Sequence, residues 1–281
     1  MTNRDIYNNT AAALENSGCD FSDYDIRCLM EHFLGTTRFD LEPGIPCKAH
    51  KTQLAAFDEA VRKRCQGFPL QYIIGKWSFM DAELYVGEGV LIPRDDTEVC
   101  VRECISLLGD DPAPKIIDLC SGSGAIAIAL AARYPKADII AAELSGKAFP
   151  YLLKNIEHNH AENITAVNGD IRTLHSRYAD GSFDAVISNP PYICSREIPL
   201  LQKEVQSEPV IALDGGEDGL DLYRVIARHW LRKLRPGGII SLEIGEDQGK
   251  SVPALLREEG ARNIRVIKDI SGLDRCVTAL V

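Results

Sequence analysis

Apolar residues recur at helical spacing in three stretches near the start of the chain: Asn3 to Leu14, Asp23 to Leu34 and Lys51 to Cys65. Gly18, Gly35 and the run Pro43-Gly44-Ile45-Pro46 separate them. The pattern predicts a small helical bundle over residues 1–75, close to the lower size limit for an independent core. The character then changes. Tyr72-Ile73-Ile74-Gly75, Trp77-Ser78-Phe79 and Glu83-Leu84-Tyr85-Val86 are β-prone segments broken by Gly and Asp. They predict a β-hairpin within a linker, residues 76–98. Asp95 with Glu98 three residues later predicts a capping box that opens the next helix.

Residues 99–281 alternate strand and helix. Strands are predicted at Lys115 to Leu119, Asp138 to Ala142, Ile164 to Val167, Phe183 to Ser188 and Ile239 to Ile244, with two more at the C-terminus. Helices are predicted at Ala125 to Arg133, Ala148 to Asn159, Leu220 to Leu234 and Val252 to Glu259. Such alternation implies right-handed crossovers and a parallel sheet, an α/β doubly wound Rossmann-like domain. Ligands in these sheets sit at the carboxyl ends of the strands. Gly122, Gly124, Glu143, Asp170 and Asn189 all fall there.

The turn Asp118-Leu119-Cys120-Ser121-Gly122-Ser123-Gly124 has the small residues that let backbone approach a ligand. Glu143 follows it by roughly 20 residues, at a strand end where an acid can bind ribose hydroxyls. Together they point to an adenosine-type cofactor without saying which, since Gly122-Ser123-Gly124-Ala125-Ile126-Ala127 also satisfies a dinucleotide fingerprint. A tight strand-to-helix turn without ligand is the bland alternative. Asp170 either receives an adenine amino group or only caps a helix.

Asn189-Pro190-Pro191-Tyr192 ends the fourth strand beside that turn. Asn-Pro is an ordinary turn signal. Its position suggests chemistry. An amide nitrogen is a poor nucleophile because its lone pair is delocalised into the carbonyl. The Asn189 side-chain oxygen and the Pro190 carbonyl can both accept from one NH2 group and aim its lone pair at an activated methyl. Orientation and electrostatics then carry the catalysis. Tyr192 is expected to pack over the planar acceptor. No metal is needed, and His158 and His160, two apart on a helix, share no face.

Composition narrows the partners. Hydrophobic residues make up 45%, which is ample for a core. The net charge of −10 disfavours a phosphate-backbone partner. Nine cysteines, odd in number and without a CxxC pair, fit free thiols in a reducing compartment. No apolar run approaches the roughly 20 residues of a membrane span. Met1 to Ala13 carries no signal-peptide core, so a cytoplasmic protein is expected.

At these residues the chain resembles the release-factor glutamine methyltransferases, the HemK-like family. Leu91-Ile92-Pro93-Arg94-Asp95-Asp96-Thr97-Glu98 is similar to the family's IPRPDTE segment. Phe68 to Gly75 and Gly272-Leu273-Asp274-Arg275 match two further segments. The resemblance implies S-adenosylmethionine as cofactor, S-adenosylhomocysteine as product, and the glutamine of the Gly-Gly-Gln loop of class 1 peptide chain release factors as methyl acceptor. It implies that Asn189 and Pro190 are catalytic and that Pro191, Tyr192 and Arg94 join them around the substrate. Cys120, Ser121, Gly122, Ser123, Gly124, Glu143, Asp170, Ile171 and Asn189 would line the cofactor pocket. The helical domain would dock the release factor, and a monomer without direct nucleic-acid contact is expected. Cys120 stands where the family commonly has Gly, Asp95 where it has Pro, and Ile171 where some members have an aromatic. A nucleic-acid adenine-N6 or guanine-N methyltransferase uses the same short Asn-Pro-Pro-Tyr loop and is the alternative reading; a nicotinamide-dependent oxidoreductase would leave that loop without a role.

Overall fold

A computed structural model describes residues 1–281, the side chain of Arg38 excepted. The chain divides into two compact units. The first comprises Met1–Lys76 together with Gln202–Ser207, and the second Trp77–Leu201 with Glu208–Val281.

In the first unit, α1 (Asn3–Ser17), α2 (Asp23–Leu34) and α3 (Lys51–Cys65) follow the apolar spacing. Gly18 and Gly35 close α1 and α2 in left-handed conformation. Tyr72-Ile73-Ile74 does not form a strand as its β-branching suggested. It lies in α4 (Leu70–Ile74), which starts after Pro69 and stops at left-handed Gly75. Local stop and start signals outweigh β-propensity here.

A buried cation organises this unit. Arg64, 2% exposed, donates Nε (2.9 Å) and Nη2 (2.7 Å) to Asp25 Oδ2 and Nη2 to the Asp20 carbonyl (2.6 Å). It also meets Glu204 at 2.7 Å, in the short helix Lys203–Gln206. Arg64→Ala would leave Asp25 buried and unpaired, and is expected to destabilise the unit by about 3–5 kcal/mol in chemical denaturation.

The second unit opens with the hairpin β1 (Lys76–Phe79) and β2 (Ala82–Tyr85), whose first residue still belongs to the helical unit. Asn155, fully buried, receives Tyr85 N–H (2.7 Å) and donates to the Tyr85 and Ser123 carbonyls. One side chain thus ties β2 to the Gly-rich turn. Next comes α5 (Thr97–Leu108), whose N-cap is Asp96 without a side-chain bond, so the expected Asp95–Glu98 capping box does not form. The Glu98 carboxylate instead accepts from Met80 N–H (3.2 Å) and Arg102 (2.8 Å).

The main sheet has seven strands in the order β5-β4-β3-β6-β7-β9-β8. These are β3 (Lys115–Leu119), β4 (Asp138–Glu143), β5 (Ile164–Asn168), β6 (Phe183–Ser188), β7 (Leu234–Glu243), β8 (Arg262–Lys268) and β9 (Asp274–Leu280). The first five pair in parallel, and β9 runs antiparallel between β7 and β8. The near-continuous apolar runs of β3, β4 and β6 reflect burial on both faces. One face packs against Ile126, Leu130 and Leu152, the other against Tyr223, Trp230 and Leu256. The predicted helix Leu220 to Leu234 forms as one continuous helical segment whose winding changes along it: α over Asp221–Val225, π over Ile226–Trp230 and 3-10 over Leu231–Lys233. Within it buried Trp230 donates Nε1–H to the Ile171 carbonyl at 3.0 Å. The chain runs from β3 outward to β4 and β5, then returns to β6 on the other side of β3. That reversal is a topological switch point, and a crevice opens at the carboxyl ends of the strands beside it.

Candidate active site

A cavity of about 410 Å³ occupies this crevice. Cys120, Ser121, Gly122, Ser123, Glu143, Asp170, Ile171, Asn189, Pro191 and Arg94 all line it. The size suits a nucleoside-sized ligand. Gly124, Pro190 and Tyr192 lie outside the lining. A Cβ on Gly124 would meet Leu152 Cδ1 at 2.7 Å, so this glycine serves helix packing.

The turn after β3 alternates left-handed residues: Cys120 at φ 62°, Gly122 at 55° and Gly124 at 87°. Cys120 therefore adopts the conformation a glycine would take. A β-branched side chain tolerates it poorly. Cys120→Val is expected to cost about 1–3 kcal/mol, read as a lower melting temperature. Cys120→Gly is expected to be nearly neutral, because relief of strain offsets the freedom gained by the unfolded chain. Burial pushes the Cys120 thiol far up, with Glu143 and Asp118 adding to it, so it stays protonated. Burial also raises the Asp118 carboxyl to about 8.

Glu143, at the end of β4, accepts Gly122 N–H at 2.8 Å and Ser145 N–H at 2.6 Å. Burial raises its carboxyl, and those backbone bonds pull it back down. Asp170 caps the next helical turn through Arg172 N–H (2.8 Å) and also faces the cavity, so capping and lining coexist. Two carboxylates on neighbouring strand ends, with apolar Leu91, Ile126 and Ile171 around them, suit a neutral ribose and a cationic centre. They suit a pyrophosphate badly, because like charges repel and the Gly122 N–H is already taken by Glu143. The donor set fits S-adenosylmethionine better than a dinucleotide.

Asn189 follows β6 directly and donates Nδ2–H to Thr97 Oγ1 at 3.2 Å. Tyr192 is half-buried against the core, and burial pushes its hydroxyl well above its ordinary value. It does not flank the cavity as a stacking platform. Three residues that sequence reasoning passed over clamp this loop. Gln248 donates Nε2–H to the Tyr192 and Gly219 carbonyls, both at 3.1 Å. Gly215 and Gly219 lie so close that a Cβ would stand 2.8 Å from Tyr192 Cα and 2.3 Å from Tyr192 O, respectively. The run Gly215-Gly216-Glu217-Asp218-Gly219 was the available signal. Arg94 forms an ion pair with buried Glu208, which also accepts Ile92 N–H at 2.9 Å. This fastens the Ile92–Arg94 segment on one side of the cavity.

Comparison with known proteins decides the family. The PrmC N-terminal domain profile matches residues 5–75 and the Methyltransferase small domain profile residues 101–207. The release factor glutamine methyltransferase of Moorella thermoacetica is 42% identical over 79% of this chain and 78% of its own length. The chain belongs to the release factor glutamine methyltransferase family. Two further members, from Caulobacter vibrioides and Geobacter sulfurreducens, are 37% and 35% identical over 94% and 98% of this chain, covering 91% and 95% of their own lengths. Among solved structures, the hMettl16 catalytic domain in complex with MAT2A 3'UTR hairpin 1 superposes with a TM-score of 0.55 at 16% identity. That match covers 84% of this chain and 82% of the other, and shows a shared fold. No helix among the described residues is long and apolar enough to cross a membrane.

Proposed function

We propose that this chain transfers a methyl group from S-adenosylmethionine to the side-chain amide nitrogen, N5, of the glutamine in the Gly-Gly-Gln loop of peptide chain release factors. The observation that carries the reading is the shared cavity. Asn189 and Pro191 line the same chamber as Glu143 and Asp170, so an acceptor nitrogen and a methyl donor meet in one place. The sulfonium supplies an activated methyl carbon and a neutral leaving group. Glu143 and Asp170 hold the donor's ribose and adenine ends. The Asn189 side-chain oxygen and the Pro190 carbonyl accept hydrogen bonds from the glutamine NH2, which turns the nitrogen lone pair toward the methyl. Arg94 acts through Glu208, positioning the cavity wall, and the first unit docks the release factor.

The reading extends to a cytoplasmic monomer that makes no direct nucleic-acid contact, and the net charge of −10 supports a protein acceptor. Its test is transfer of label from S-adenosylmethionine to a purified release factor, run beside DNA and RNA. Label on the release factor alone is expected; label on nucleic acid alone would favour the adenine or guanine alternative.

A further inference from the structure

The proposed chemistry needs the oxygen of the Asn189 amide, and not its NH2, turned toward the acceptor. Asn189 cannot set this by itself, because the two ends of an amide have the same shape. Its Nδ2 donates to Thr97 Oγ1 at 3.2 Å, and both residues line the cavity. Behind them stands Glu243, 1% exposed, at the end of β7. The register Ser188↔Leu242 brings Glu243 level with Asn189 on the neighbouring strand. Glu243 lies outside the cavity lining, and its Oε2 has no hydrogen-bond partner among the described residues. Its backbone carbonyl is held by buried Tyr223 at 2.6 Å, so the strand end is fixed.

Thr97, 4% exposed, is the first residue of α5, which packs against β7, and its hydroxyl interacts with the Glu243 carboxyl. A hydroxyl has one proton, and a carboxylate only accepts. If the Thr97 proton goes to Glu243, Thr97 can only accept from Asn189. The amide is then locked with Nδ2 toward Thr97 and Oδ1 toward the chamber. We propose that Thr97 and Glu243 are positioning residues that set the direction of the Asn189 amide. This rests on the glutamine-methylation reading. Neither residue transfers a proton; the pair selects one of two orientations.

Protonation of Glu243 would abolish the selection, since a neutral carboxyl can donate to Thr97 and release the Thr97 proton toward Asn189 Oδ1. Burial, with Asp96 adding to it and the Thr97 hydroxyl, Arg275 and Arg94 opposing it, leaves this carboxyl raised to about 7. Tyr192, Tyr223 and the thiols of Cys100 and Cys276 also face it. The wild-type rate is therefore expected to fall as pH drops through about 7.

The test compares wild type with Thr97→Val, Thr97→Ser and Glu243→Gln in methyl transfer to a purified release factor, with S-adenosylmethionine affinity measured by calorimetry. Thr97→Val, of equal size without the hydroxyl, is expected to lower kcat about 10- to 100-fold. KM for the release factor and cofactor affinity should stay within about threefold, changes of under roughly 1 kcal/mol. Thr97→Ser should recover most of the rate. Glu243→Gln should lower kcat similarly and flatten the acid limb. A Thr97→Val rate equal to wild type overturns the proposal, and so does a parallel loss of cofactor affinity, which marks a merely structural hydroxyl. A wild type that methylates no release factor overturns the glutamine reading and this inference with it. An active wild type with an unaffected Thr97→Val overturns this inference alone.

Discussion

Asn189→Ala is expected to lower the rate of methyl transfer by about 10²- to 10³-fold, the loss seen when one preorganised hydrogen-bonding group is removed from around a reacting centre. The argument rests on what the glutamine nitrogen lacks. Its lone pair is shared with its own carbonyl, so it attacks only when its two N–H bonds are held out of that plane. Two fixed acceptors can do this; one cannot. Affinity for S-adenosylmethionine should change little, because Glu143, Asp170 and the turn after β3 keep their places on the lining. Asn189→Asp offers a sharper comparison. It keeps an acceptor but loses the Nδ2–H bond to Thr97. Its rate is expected to fall between those of wild type and the alanine variant, read by single-turnover transfer.

Gly219→Ala is expected to be as damaging, by a different route. Gly219 sits at φ +74°, and a Cβ there would stand 2.3 Å from the Tyr192 carbonyl oxygen and 2.8 Å from Gln248 Nε2. Neither neighbour can retreat freely. The Tyr192 backbone follows two prolines, and Gln248 is buried while bonded to both Tyr192 and Gly219. The methyl group must displace the loop that carries Asn189. Activity should drop at least as far as in Asn189→Ala, and cofactor affinity should drop with it, because the backbone carrying Asn189 and Pro191 is pushed out of place on the lining, whereas Asn189→Ala only removes a side chain from it. Gly181→Ala is the control. It has a similar φ of +73° with nothing within 4 Å of the new Cβ. It carries only the left-handed cost of about 1–2 kcal/mol and should retain full turnover. Cofactor titration of the three proteins separates loop displacement from backbone strain.

Much of this site was legible along the chain because its parts are local. The strand–turn–helix around Gly122, the acid ending the next strand and the Asn-Pro-Pro-Tyr loop are each written in consecutive residues, and sheet topology brings strand ends together. Helices α1 to α3 were readable for the same reason: their apolar spacing and closing glycines are short-range signals. What escaped is long-range. Gln248 lies 56 residues beyond the Tyr192 it holds, and Arg94 pairs with Glu208 at a separation of 114. No periodicity encodes such partners. The segment Tyr72-Ile73-Ile74 misled because β-branching speaks for a strand, while Pro69 and Gly75 frame one helical turn. At Asp95 and Asp96 the capping register slipped by one residue, leaving Glu98 to brace the hairpin through Met80. Membership of the release factor glutamine methyltransferase family accounts for the order of the motifs. The orientation of the Asn189 amide has to be read from the packing of α5 against β6 and β7.

The most direct test of the account is the site of methylation itself. A release factor purified without the modification is incubated with this protein and S-adenosylmethionine, digested, and analysed by tandem mass spectrometry. The account predicts one added methyl group, on the side-chain amide of the glutamine in the Gly-Gly-Gln loop, absent when Asn189→Ala replaces the wild type. A methyl group on any other residue, or none while nucleic acid in the same mixture is methylated, would contradict it.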